Sequence, residues 1–451
     1  MMILDKAIIV TSEKETQGTV RIADGVITDV LFSDSSDYEF RRQKMLDEAP
    51  EAEILNLEGR WLMAGGIDAH VHFREPGLTH KADILTESSA AVAGGVTTVF
   101  DMPNTNPPTV TAEALKDKIA AAVGRSKVNI GFHFGATNEN ACLIATLAES
   151  GDCETGISST DIAGIKVFMG SSTGNMLVDE DKTLDTVFRI KGKPVLVHCE
   201  DEATIKANLQ EAIGKYGDDI PFEQHEEIRS RKACIKSSIK ALEKAMRFGT
   251  KLVLCHISTK EEIEMVRAAK INNPDIIAET SCNYLWFSNK DYSRLGSRVK
   301  CNPSVKKESD RQALRAAVAE GIIDTIGSDH APHLMKEKET LYCKAPSGLP
   351  SIQQSLPVLL TIAEQEDIPL TRIAEVFSEK AADIYGLKRG KIKCGYAADI
   401  VIFDKDREFM VRNEDQYSKC GWTPYEGETL KGWIDTVMVN GNIVFKDGRM
   451  N

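Results

Sequence analysis

The sequence has no long apolar run. Although 42% of its residues are hydrophobic, no stretch approaches the ~20 residues that a membrane-spanning helix needs, and no membrane partner is expected. The opening segment, "MMILDKAIIV", has an aspartate at position 5 and nothing like a cleavage site. No signal peptide is therefore expected, and the cytoplasm is the expected compartment. Positive charge is also short: 55 Lys and Arg stand against 68 Asp and Glu, for a formal net charge of −13. That argues against a nucleic-acid-binding surface, which would show a basic patch. It does not exclude an anionic small molecule, because one or two arginines can dominate a pocket. None of the ten cysteines forms a C-x-x-C pair. Cys199 and Cys255 lie in apolar runs, where cysteine packs as a small hydrophobe, so reduced thiols are expected. No G-x-G-x-x-G loop follows a strand-like run, which argues against a dinucleotide-binding open sheet.

What is present is a repeat of short apolar runs and helical stretches. A chain of 451 residues is too long for one ordinary core, so a large domain with a smaller one is expected. From about residue 60 the strand-like runs are "GGIDAHVHF", "TTVFDMPN", "VNIGFHFGAT", "IAGIKVFMG", "KPVLVHCE", "KLVLCHIS", "DIIAETSC" and "DTIGSDHAP". Several are continuously apolar, as parallel strands buried on both faces are. Between them lie helix candidates such as "RKACIKSSIKALEKAMRFG", where Ile235, Ile239, Leu242 and Met246 predict one apolar stripe. Eight βα units predict an α/β fold, a (β/α)8 TIM-type barrel, over residues 59–388. The termini read differently. "GTVRIADGVITDV", "KIKCGYAADIVIFD" and "DTVMVNGNIVF", the last with an Asn440-Gly441 hairpin signal, predict a small β-sandwich domain formed from both ends, residues 1–58 and 389–451. The charged stretch 34–53 reads as an exposed loop or excursion.

Histidine is scarce, at nine residues, which makes its placement informative. His70, His72, His198 and His256 lie within or at the ends of apolar runs. Any one alone is more often a satisfied core residue than a ligand. Four at the C-terminal ends of three barrel strands share the face where such barrels carry active sites, and packing does not require four imidazoles to converge. A metal does. Asp329, in "GSDHAPH", supplies an anion there as ligand or acid/base; taken alone it reads as a turn residue. Lys166 sits inside the apolar "IAGIKVFMG". Either its stem packs while the ammonium reaches the barrel mouth, or burial makes the amine nucleophilic enough to take up carbon dioxide as a carbamate.

"DAHVHFREPG", "DMPNTNPPT", "GIKVFM", "VHCED", "CHIST", "CNPSVK" and "GSDHAPH" resemble the amidohydrolase superfamily, and within it the cyclic amidohydrolases of the longer dihydroorotase type. The resemblance covers nearly the whole chain. It implies a site for two divalent metal ions, zinc being the expected one: His70 and His72 with Asp329 for the first, His198 and His256 for the second, and a carbamylated Lys166 bridging them. Arg74 and Asn104 match residues that hold a substrate carboxylate. Asn302, His333, Ser347 and Gly348 match substrate-contacting positions, while His330 and His80 are supporting or structural. Ser304, Lys306 and Ser347 depart from the pattern, since relatives tend to show proline, arginine and an aromatic residue there. The departures put substrate detail in question, not metal binding.

The implied activity is the reversible cyclisation of N-carbamoyl-L-aspartate to L-dihydroorotate in pyrimidine biosynthesis, with Asp329 as general acid/base. The only implied partner is that small anionic substrate, and a homodimer is left open. The rival readings are an allantoinase- or hydantoinase-like enzyme, a metal-free structural relative and a solute-binding module. Arg74 and "MPNT" are not expected of allantoinases or hydantoinases. The full ligand set argues against the structural relative, and a binding module has no need of Asp329.

Overall fold

The structure, a computed structural model, describes residues 1–170 and 176–451. Eight strands form one parallel sheet in chain order: Gly66–Val71, Val96–Asp101, Asn129–Gly135, Ile162–Phe168, Val195–His198, Leu252–Leu254, Ile276–Thr280 and Thr325–Ile326. Each coincides with one of the apolar runs read from the sequence. Gly66–Val71, Val96–Asp101, Val195–His198 and Ile276–Thr280 are buried at every position, as strands with a packed barrel interior on one face and helices on the other must be. The sheet closes just beyond its last strand. The His72 N–H donates to the His330 carbonyl at 2.8 Å, and Val71 bridges His330 in parallel. Among the described residues, no helix is long and apolar enough to cross a membrane.

The helix Arg231–Phe248 turns a different face inward from the one its large apolar residues predict. Ala233, Cys234, Ser237, Ser238, Ala241, Leu242 and Ala245 are buried, while Ile239 and Met246 stay about 40% exposed. Small side chains dominate the buried face, and the larger Ile239 and Met246 are left toward solvent. The charged stretch 34–53 contains a helix, Tyr38–Glu48, that buries only Tyr38 and Met45.

The two ends of the chain build one nine-stranded mixed sheet. Its centre is Trp61–Ala64, which lies inside the stretch 59–388 expected for the barrel. This strand pairs in parallel with Ile8–Val10 and antiparallel with Ile400–Phe403. It therefore joins the N-terminal and C-terminal halves of the sheet and runs straight on into the first barrel strand. The segment 417–425 reaches from this sheet back over the barrel mouth. The buried Trp422 donates its indole N–H to the His333 carbonyl at 2.7 Å, and the buried Tyr425 hydroxyl donates to Asn283 Oδ1 at 3.0 Å.

Candidate active site

The first barrel strand delivers His70 and His72 to the same side, because residues two apart on a strand face alike. The turn after the eighth strand brings Asp329 to them. Its Oδ1 lies 3.0 Å from His72 Nε2 and 3.5 Å from His70 Nε2. Asp329, Arg74 and His256 all take left-handed backbone angles, with φ of 48°, 66° and 40°. Such angles are uncommon outside glycine and cost energy, and here they aim three polar side chains at one mouth. The approach is close. A Cβ on Gly327 would stand 2.8 Å from both Glu279 Oε2 and the His70 Cβ.

The far nitrogens of the two rings are also held. His70 Nδ1 donates to Glu279 Oε1 at 2.7 Å and His72 Nδ1 donates to Asn104 Oδ1 at 2.7 Å. With Nδ1 carrying the proton, each neutral ring turns an Nε2 lone pair toward Asp329. Burial keeps both rings neutral by depressing their pKa values. Asp68 braces the strand rather than joining the group: its Oδ1 accepts the His70 and Ser328 backbone N–H groups at 3.0 and 3.1 Å.

His198 and His256 form the other half. His198 Nδ1 and His256 Nε2 are 2.9 Å apart, and His198 Nε2 donates to Glu200 Oε2 at 2.9 Å. His256 Nδ1 is buried with no hydrogen-bond partner among the described residues. A neutral His256 therefore leaves one nitrogen poorly served whichever tautomer it takes: either Nδ1 is an orphan acceptor, or two lone pairs meet at Nε2. A divalent ion between the rings removes the conflict, so this donor set suits a metal. Glu200 is paired in turn with Arg229. The ring centroids of His70 and His256 are 5.2 Å apart and those of His198 and His256 4.7 Å, so both halves adjoin.

Lys166 is fully buried, and its Nζ lies 3.2 Å from Cys255 Sγ and 5.3 Å from the centre of the Phe168 ring. Its charge opposes protonation of His70, His198 and His256, which places the amine among them. Among the described residues no carboxylate pairs with it. Burial pushes the Cys255 thiol up to about 12, so Cys255 offers no thiolate.

The residues matched to substrate contacts gather beside this centre. Arg74 is buried; its Nε donates to the Pro332 carbonyl at 3.1 Å and an Nη lies 3.0 Å from His333 Nε2. His333 Nε2 also lies 3.1 Å from the Ser347 carbonyl, and Lys81 Nζ is 3.1 Å from His333 Nδ1. Asn302 Oδ1 is buried without a partner among the described residues. Asn104 has a contact that the sequence did not disclose, its carbonyl engaging His72. Ser304 and Lys306, two of the three departures, touch each other. Lys306 Nζ donates to Ser304 Oγ at 2.7 Å, and both side chains donate to the Arg229 carbonyl. His330 donates to the buried Glu87 at 2.7 Å, whereas His80 is exposed. Sequence reasoning missed Glu279, Glu200 and Lys118. Lys118 is completely buried; it pairs with Asp101 at 2.8 Å and donates to the Met102 carbonyl at 2.6 Å, which braces the loop that carries Asn104. The one available signal was the type that exposed Lys166, an ionisable residue in an apolar run, and Glu279 in "DIIAETSC" carries it.

An amidohydrolase family profile matches residues 61–444. The chain belongs to the amidohydrolase family. It is 33% identical over 410 residues to a dihydroorotase of Methanosarcina acetivorans, covering 88% of this chain and 84% of that protein. It is 31% identical over 411 residues to an allantoinase of Desulfitobacterium hafniense, covering 88% of each. Among solved structures, an L-hydantoinase (dihydropyrimidinase) from Arthrobacter aurescens superimposes with a TM-score of 0.89 at 26% identity, covering 100% of this chain and 97% of the other. This amidohydrolase is accordingly a hydrolase that acts on cyclic amides, from a family that generally binds divalent metals.

Proposed function

We propose that this amidohydrolase is a dihydroorotase, which interconverts N-carbamoyl-L-aspartate and L-dihydroorotate. The observation that carries the reading is the surplus of donors around His333. Arg74 and Lys81 both direct N–H groups at this ring while the Ser347 carbonyl needs a donor from it. A neutral imidazole accepts at one nitrogen only, and burial together with Arg74 keeps this one neutral. With the ring N–H given to the Ser347 carbonyl, the Arg74 N–H aimed at the same nitrogen lacks an acceptor among the described residues. A substrate carboxylate supplies it, and a guanidinium fork fits a carboxylate bidentately.

His70, His72 and Asp329 would hold one divalent ion and His198 and His256 the other, with Lys166 between them as a carbamate. Zinc suits these ligands, as do manganese and cobalt. The carbamate forms when the neutral Lys166 amine attacks carbon dioxide, making an N–C bond and releasing a proton. Divalent ions bound there supply Lewis acidity, which lowers the pKa of water and polarises an amide carbonyl. The chain's own residues do the rest. Arg74 fixes the ring by its carboxylate. Asp329 accepts the proton of the attacking water and delivers it to the ring nitrogen as the C–N bond breaks. The biosynthetic direction reverses these steps.

The competing reading is an allantoinase- or hydantoinase-like activity, which the allantoinase relatives favour. Assay of the metal-analysed protein on dihydroorotate, allantoin and hydantoin separates the two. Preference for dihydroorotate with about two equivalents of metal per chain is expected; preference for allantoin or hydantoin overturns the dihydroorotase reading.

A further inference from the structure

Two buried lysines beside the mouth have no carboxylate partner among the described residues. Lys338 is fully buried, and its Nζ donates to the carbonyls of Lys300 at 3.1 Å, Pro346 at 2.8 Å and Gly348 at 3.1 Å. Lys300, nearly buried, donates to the carbonyls of Tyr342 at 2.7 Å and Ala345 at 2.6 Å. His333 holds the Ser347 carbonyl. Every carbonyl from Ala345 to Gly348 is thus taken by Lys300, Lys338 or His333. The Gly348 N–H closes the arrangement on the Lys300 carbonyl at 3.0 Å. Gly348 packs tightly at the end of the segment: it has φ of 139°, and a Cβ there would meet the Ala331 carbonyl at 2.5 Å.

The charge state follows from the contacts. Burial, with Lys300 beside it, drives the Lys338 pKa well down, yet three carbonyl acceptors need three N–H donors, which only the ammonium has. Arg74 is close enough for its charge to act on both Lys338 and His333. Lys81, by contrast, is paired with Glu337 at 3.1 Å.

We propose that Lys300 and Lys338 are specificity-determining residues, which hold segment 345–348 as an electropositive wall with its acceptors spent and so favour anionic cyclic amides over neutral ones. The proposal rests on the dihydroorotase reading for the identity of the anion, not for the wall itself. In a dry site, fixed cations act on a nearby carboxylate through a low dielectric and discriminate against a ring without one.

The test uses the full-length, metal-loaded enzyme and its Lys338→Gln variant, with Lys300→Gln as the second variant should the first fail to fold. The readout is the ratio of kcat/KM for dihydroorotate to that for dihydrouracil, the same ring without the carboxylate. The ratio is expected to fall about 10- to 100-fold, chiefly through KM for the carboxylated ring. An unchanged ratio, whatever the absolute rates, overturns the proposal, since a purely structural role harms both substrates alike. If the wild type turns over no dihydroorotate, the dihydroorotase reading fails, and malonate inhibition of whichever cyclic amide is hydrolysed decides the lysine role. Inhibition at least about tenfold weaker in the variant supports the wall, and unchanged inhibition overturns it.

Discussion

Asp329 answers to more constraints than its neighbours do. It is held in a left-handed backbone conformation, between two imidazoles, in the turn that closes the barrel. On the proposed mechanism its task is proton transfer, and an amide can occupy the same space without moving a proton. Asp329→Asn is therefore expected to lower kcat by about 100- to 10,000-fold with little change in KM. Steady-state kinetics check this, and a normal kcat with a raised KM would assign the residue to binding instead. Lys166 offers a second test. As a carbamate it would supply an anion between the two halves, and alanine supplies none. Lys166→Ala is expected to lose metal and most activity, with partial recovery on adding acetate or propionate. Metal analysis alongside the rescue assay decides; wild-type metal content and rate in the variant would remove the carbamate from the account.

At the scale of elements, the helix Tyr38–Glu48 is tied to the terminal sheet by one polar network. Arg42 Nε donates to Asp5 Oδ1 at 2.7 Å, and Thr19 Oγ1 donates to the same atom at 2.8 Å. Burial pushes the Asp5 pKa up, but the hydrogen bonds from Arg42 and Thr19 outweigh it and leave the pKa below its ordinary value. A depressed folded-state pKa stabilises the fold above the unfolded-state value of about 4, and that contribution is lost as pH falls through the folded-state value. Arg42→Ala is expected to destabilise the chain by about 1–3 kcal/mol near neutral pH. The gap to wild type should narrow as pH falls below about 4 and close only once it has passed the lowered folded-state value, where Asp5 is protonated in both. Thermal melts across pH 3–8 test this, and a gap independent of pH would mean that Arg42 acts by packing alone.

Elements also show how far the sequence can be read. The eight barrel strands were legible because burial on both faces makes each a continuous apolar run. His70 and His72 were legible because their spacing matches the strand repeat. Glu200 and Glu279 were harder to see, since what matters about them is the ring each one meets, and Glu279 meets a ring far away in the chain. The buried face of Arg231–Phe248 differs from its apolar stripe for a related reason: which face a helix buries is set by its neighbours as well as by its own side chains, and only the latter are written in the helix. Trp61–Ala64 reads as the approach to the first barrel strand, but its partners Ile8–Val10 and Ile400–Phe403 come from opposite ends of the chain.

Over the whole molecule, the terminal sheet and the barrel meet at the mouth. Trp422 reaches back to His333, Ser418 donates to Glu87 at 2.6 Å, and Glu87 holds His330, the residue after Asp329. The C-terminal segment thus supports the same turn that carries the proposed acid/base group and the partner of Arg74. The central claim is that this mouth reads a carboxylate, and Arg74 is its first contact. The most direct measurement is kcat/KM for dihydroorotate and for dihydrouracil, in wild type and Arg74→Met, at matched metal content. Loss of a charge-assisted contact in a dry pocket is expected to cost on the order of 2–4 kcal/mol, roughly 30- to 1,000-fold, for dihydroorotate, with dihydrouracil little affected or favoured. Equal losses for both substrates would contradict the role given to Arg74, and with it the choice of dihydroorotase over the hydantoinase-like alternatives.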